Sequence, residues 1–119
     1  MANFKSAILT TGTYTKSGTA EVQMIEPVNV SNEDRLSFQF YNVNGSDAVG
    51  DVVRVYGRLG DEGSFFSASD YTQIGDDITV TGATSVLKSI ATTGLNWCGV
   101  TIEPETGSNT MTHQMLRQA

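Results

Sequence analysis

His113 and Cys98 are the side chains best suited to nucleophilic or general-base chemistry, and each occurs once. A thiolate beside an imidazole makes a nucleophile–base pair where adjacent strands bring the two together. Nothing in the surrounding residues would orient such a pair. His113 alternates with Met111 and Met115, which reads as a packed or rim position on a strand. Cys98 alternates with Val100 and Ile102, which reads as a small inward-facing hydrophobe. Zinc sites need clustered Cys and His, and one of each does not supply them. Asp61-Glu62, Asp70 and Asp76-Asp77 offer hard oxygen ligands of the kind calcium takes, but EF-hand spacing is absent and acidic turns are ordinarily solvated. Paired carboxylates for glycoside cleavage belong on facing strands. The acids here lie mostly in turns, with Glu21 the main exception, and an exposed turn does not raise a carboxyl pKa as a general acid requires. Gly57-Arg58-Leu59-Gly60 sits inside a β pattern with no following helix, so it is no phosphate loop. The expectation is a protein that is not an enzyme and carries no cofactor or metal.

Chemistry of binding is left. Seven basic residues against thirteen acidic give a formal net charge of −6, the wrong sign for duplex DNA or an anionic membrane. The cations are dispersed, and only Arg54 and Arg58 approach a patch. Tyr41, Tyr56 and Trp97 fall where an outer-face aromatic could stack on a sugar or a partner protein. Trp97 filling the core beside Cys98 is the competing reading. No apolar run approaches the length of a membrane span. The start, Met1 to Lys5, lacks the apolar core of a secretory signal, so synthesis and retention in a cytoplasm are expected. A lone cysteine excludes an internal disulfide framework.

The elements that must position these groups are strands. Arg35 to Val43 is the cleanest period-two segment, with Leu36, Phe38 and Phe40 on one face and Ser37, Gln39 and Tyr41 on the other. One buried and one wet face is the pattern of an antiparallel sheet. Val52 to Leu59 sets Val53, Val55, Gly57 and Leu59 against Arg54, Tyr56 and Arg58. Further strands are expected at Phe4 to Leu9, Ala20 to Ile25 (stopped by Pro27), Phe65-Phe66, Ile78 to Thr81, Ser85 to Ile90, Trp97 to Ile102 and Asn109 to Leu116. A short helix over Ala83 to Ile90 is the alternative to the strand there. Asn44-Gly45 is a hairpin-turn signal. Thr10 to Thr19, built of Thr, Gly, Ser, Tyr and Lys, reads as a loose loop or arm because it lacks apolar residues to pack. The whole, residues 1–119, reads as one all-β domain, an antiparallel β-sandwich of about eight strands.

The second half resembles a pattern in small virion proteins of tailed bacteriophages. It is carried by Val52 to Leu59, the Gly/Asp turn and aromatic of Gly60 to Phe66, the strand and turn Ile78 to Gly82, the Trp-bearing strand Trp97 to Ile102 and the closing Gly107 to Met115. The turn Gly60-Asp61-Glu62-Gly63 departs from that pattern in lacking an Asn-Trp or Asn-Phe beyond it. The resemblance implies a β-sandwich or jelly roll that decorates or cements a capsid, or adorns a neck or tail. The expected location is then the virion, assembled in the host cytoplasm, and the expected partners are the major capsid protein or other virion proteins. A homo-oligomer is possible, and neither nucleic acid nor membrane is expected as a partner. Phe4, Tyr14, Lys16, Arg54, Tyr56 and Arg58 are the favoured contact residues, since basic and aromatic side chains dominate binding hot spots. The alternative is a carbohydrate- or receptor-binding module that uses Tyr41, Tyr56 or Trp97.

Overall fold

A computed structural model describes residues 6–16, 18–32, 34–42, 50–63, 70–82, 85–105 and 109–118, with backbone alone for 6–11, 16, 42 and 109–118. The strands are β1 (Ser6–Lys16), β2 (Val22–Asn29), β3 (Arg35–Asn42), β4 (Asp51–Arg58), β5 (Thr72–Gln73), β6 (Ile78–Val80), β7 (Ser85–Ala91), β8 (Trp97–Glu103) and β9 (Asn109–Gln118). All pairings are antiparallel. One sheet runs β1-β9-β3-β7; the other runs β2-β8-β4-β5, with β6 also paired to β4. Because β5 and β6 pair with successive parts of β4, they act as one strand broken between Ile74 and Asp77. Counted so, the described residues form eight strands in two four-stranded layers, and every connection but that from β4 to β5 joins strands of different layers. That is the strand order of a jelly roll.

Alternation decides which side chains meet between the layers. Leu36, Phe38 and Phe40 of β3 are buried, and the two phenylalanine rings stack with centroids 5.8 Å apart. Facing them are Val53 and Val55 of β4, Cys98, Val100 and Ile102 of β8, and Ile78 and Val80 of β6. Full burial of such side chains stabilises by roughly 1.5–3 kcal/mol each, the dominant favourable term in a fold whose single cysteine is free. Gly57 continues the inward side of β4. A Cβ there would meet the tips of Ile74 and Leu95 at 2.7 and 2.9 Å, so the missing side chain is what lets these two close over the strand end.

Several expectations are corrected. Thr10 to Lys16 is not a loop or arm but the larger part of β1, in register with β9 from Thr10↔Met115 to Lys16↔Asn109. Threonine is β-branched and suits a pleated ladder, and β9 supplies the packing partner that this stretch cannot supply for itself. Pro27 does not end β2. The strand runs on to Asn29 because β2 lies at a sheet edge and shifts register between Ile25 and Val28, where a missing N–H costs no ladder bond. Ser85–Ala91 is the expected strand, and the helical alternative falls away. Leu59 is exposed because β4 stops at Arg58 and the alternation stops with it. Phe65-Phe66 and Asn44-Gly45 lie outside the described residues.

Candidate functional site

The outer face of the five-stranded sheet holds the densest polar arrangement among the described residues. Alternation turns Arg54, Tyr56 and Arg58 of β4 outward, and pairing sets them opposite Thr101, Gly99 and Trp97 of β8. Arg54 lies at the centre. Its Nε donates to Asp77 Oδ1 at 3.0 Å and its Nη2 to Asp77 Oδ2 at 3.3 Å, a side-on fork. Its Nη1 donates to Glu103 Oε1 at 2.9 Å and pairs with Glu21 Oε1 at 3.2 Å. One guanidinium thus ties the residue before β2, the break between β5 and β6, and the end of β8. Glu21 Oε2 accepts from Tyr56 Oη at 2.8 Å and from Thr101 Oγ1 at 2.6 Å. Gln73 Nε2 donates to Asp77 Oδ1 at 2.8 Å.

Electrostatics follow from these contacts. Partial burial works to raise the Glu21 carboxyl, but the hydroxyls of Thr101 and Tyr56 and the charge of Arg54 outweigh it, and the group ends below its ordinary value. The fork from Arg54, helped by Gln73, holds Asp77 low. Hydrogen bonding to Asp77, then to Glu103, raises Arg54 further. Burial, followed by the bond to the Glu21 carboxylate, raises the Tyr56 phenol. For Glu21, Asp77, Arg54 and Tyr56 each shift reinforces the ordinary charge state.

Arg58 forms a second, smaller cluster. Its Nη2 donates to Asp61 Oδ1 at 2.8 Å, its Nε to the Asp61 carbonyl at 2.8 Å and its Nη1 to the Asp70 carbonyl at 2.9 Å. Asp70 Oδ1 lies 3.4 Å from Nη1. Gly63, at φ +62°, carries no side chain that would collide with this guanidinium. Tyr71 is buried and closes the loop by donating to the Glu62 carbonyl at 2.6 Å.

The favoured contact residues therefore separate. Arg54, Tyr56 and Arg58 share one face, and both arginines are paired with carboxylates of the chain itself. Tyr14 is half-buried on β1 and packs against the core, away from that face. It lines an open cleft of about 270 Å³ with Gly18, Thr19, Ala20 and Val22. Phe4 lies outside the described residues, and of Lys16 only the strand backbone is described. The turn acids Asp61 and Asp77 are counter-ions of the arginines, not merely solvated groups, and no cluster of three or more metal-ligating residues occurs among the described residues. Tyr41 is on β3 of the four-stranded sheet, so it shares no platform with Tyr56 and Trp97. The Cys98–His113 pair is also corrected: β8 and β9 belong to different sheets and are not neighbours. Burial pushes the Cys98 thiol up to about 12, so it stays protonated at neutral pH. Alternation along β8 could have found Thr101 and Glu103, which fall outward between Cys98, Val100 and Ile102. No local pattern announces that Glu21 and Asp77 converge on Arg54.

No family model matches the chain, and no curated protein matches it. Solved structures do, and sixty-one of their chains resemble it. The SPBc2 prophage-derived protein YomS aligns over 100% of this chain and 97% of its own, at 13% identity and a TM-score of 0.57. A chain of infectious bursal disease virus, Gx strain, aligns over 98% of this chain and 32% of its own, at 10% identity and a TM-score of 0.53. A family 16 carbohydrate-binding module aligns over 86% and 71%, at 17% identity and a TM-score of 0.50. At such identities the likeness is one of fold: an all-β, antiparallel sandwich of a kind found in prophage-derived, viral and carbohydrate-binding proteins.

Proposed function

We propose that this chain is a non-enzymatic structural protein of a bacteriophage particle, seated on the capsid exterior and binding neighbouring capsid subunits. The observation that carries the reading is the likeness to the prophage-derived YomS, which covers 100% of this chain and 97% of that one. The jelly-roll strand order agrees with it, since that architecture serves in viral shells as well as in lectins. On this reading, function lies in surface contact. The arginine-centred face of the five-stranded sheet is a rigid, pre-ordered surface, and a module this small gains strength by touching several subunits at once. The test is co-sedimentation of the purified protein with capsids that lack it. Saturable binding at a fixed copy number per capsid is the expected result, and a protein that stays in the supernatant at every concentration defeats the reading.

One observation favours a second reading. Tyr56 pairs with Gly99, and Trp97 lies two residues along β8 on the same face, opposite Arg58. Two aromatics so placed are diagonal neighbours, near enough to bear on one sugar ring. Quenching of Trp97 fluorescence by simple saccharides, abolished in Tyr56→Ala, would favour a carbohydrate-binding module over a capsid component.

A further inference from the structure

The two sheets of this sandwich have four edges, and three of them resist a further strand. The edge at β2 carries Pro27 and two register shifts, which break the row of donors and acceptors that a partner strand needs. The edge at β5 and β6 is two short pieces separated by Ile74 to Asp77. The edge at β7 carries Lys88 in register with the buried Phe38, on the inward-facing side of the ladder, yet its side chain is exposed. A strand docking on β7 would have to cover that ammonium.

The fourth edge is different. β1 spans eleven residues, Ser6–Lys16, and pairs with β9 on one side; its single register shift, between Ile8 and Thr10, leaves Thr10 to Lys16 as an unbroken run, and among the described residues no strand pairs with its other side. It contains neither proline nor acid and is rich in threonine. None of the thirteen acids of the chain lies before Glu21 or after Glu105, whereas Lys5, Lys16 and Arg117 do. Like β1, the other strands of its sheet (β3, β7 and β9) hold none of the acids, which lie in the five-stranded sheet and the loops. Repulsion between two acidic copies is therefore weaker at the edges of this sheet than at those of the other, and of its two edges only β7 sets an exposed lysine on the inward-facing side. The cleft lined by Tyr14, Gly18, Thr19, Ala20 and Val22 opens where β1 leads into β2, beside this edge. It leaves room for inward-pointing side chains of an added strand.

From these observations we infer that β1 is the self-association edge of the protein: two copies join β1 to β1 antiparallel, making one continuous eight-stranded sheet across a twofold axis. The interface is isologous and closed, so it stops at the dimer. This assignment does not rest on capsid binding, and the two stand or fall separately.

The test is sedimentation velocity of the full chain over a range of concentrations, joined to amide hydrogen exchange. A reversible monomer–dimer equilibrium is expected, with exchange in β1 slowing as concentration rises while exchange in β7 is unchanged. Thr13 and Thr15 are exposed, and each faces a threonine on β9. The double variant T13K/T15K therefore adds charge to the edge without disturbing the monomer's interior. It should weaken dimerisation by about tenfold at low salt, and less at high salt. A monomer at every concentration overturns the inference. So does a dimer whose strength ignores T13K/T15K, or one that protects β7 instead of β1.

Discussion

Arg54 and Arg58 leave the same face of the same strand two repeats apart, and they do different work. Arg54 gathers carboxylates from three separate parts of the chain, with Asp77 and Glu103 lying 23 and 49 residues away. Arg58 bonds to the loop that follows its own strand, at Asp61 and Asp70. The first is a tertiary cross-tie and the second a local clasp. The difference is one of loop closure: contacts that join distant segments form only after most of the chain has been ordered, and losing them loosens more of the fold. Exposure sharpens the contrast. The two guanidiniums are exposed alike, at 18% and 21%, but Asp61 is 85% exposed against 49% for Asp77, so water screens the Arg58–Asp61 pair more than the Arg54 fork.

The largest effect should come from Arg54→Ala, which leaves three carboxylates facing one another with no cation between them. We expect a loss of about 2 kcal/mol after allowing for solvent screening, read as a lower urea midpoint with an unchanged slope. Tyr56→Phe removes one of two hydroxyls from Glu21 Oε2 and should cost about 1 kcal/mol. It should also let the Glu21 carboxyl rise, visible in a carbon-13 NMR titration of that side chain.

The pH dependence sharpens the comparison further. Glu21 and Asp77 are held below their ordinary values in the folded protein, so folding favours their carboxylates. The stability they contribute is full above the ordinary carboxylate range and is lost as pH falls through their lowered folded values. In Arg54→Ala that acid-side decline should be shallower than in the parent protein. Asp61 is held low as well, by Arg58, but it is fully exposed. Asp61→Asn should therefore give the smallest shift in Tm of the set, and that shift should vanish in high salt while the Arg54→Ala effect largely persists. If the two respond to salt alike, the distinction between tie and clasp is wrong.

Alternation made β3, β4, β8 and the layered architecture legible, because Leu36, Phe38 and Phe40 or Val53 and Val55 announce a buried face without knowledge of what covers it. β1 was illegible for the opposite reason. Thr10 to Lys16 has no apolar stripe, and its strand character comes from β9, which lies almost a chain length away. Pro27 misled because the rule against proline in ladders applies to central strands, and edge position is a property of the assembled sheet. The outward triad Arg54, Tyr56 and Arg58 could be read from spacing, whereas its partners could not. Glu21, Asp77 and Glu103 meet only through the sheet order β2-β8-β4 and the break between β5 and β6.

That sheet order has a temporal side. β9 comes last in sequence among the described strands, yet it lies between β1 and β3 in the middle of its sheet. As the polypeptide emerges from a ribosome, its first strand must wait beside an empty slot until the final one slides in, and the four-stranded layer closes all at once. A chain cut short before Asn109 would lose the centre of that layer rather than its margin, stranding β1 with nothing to hold.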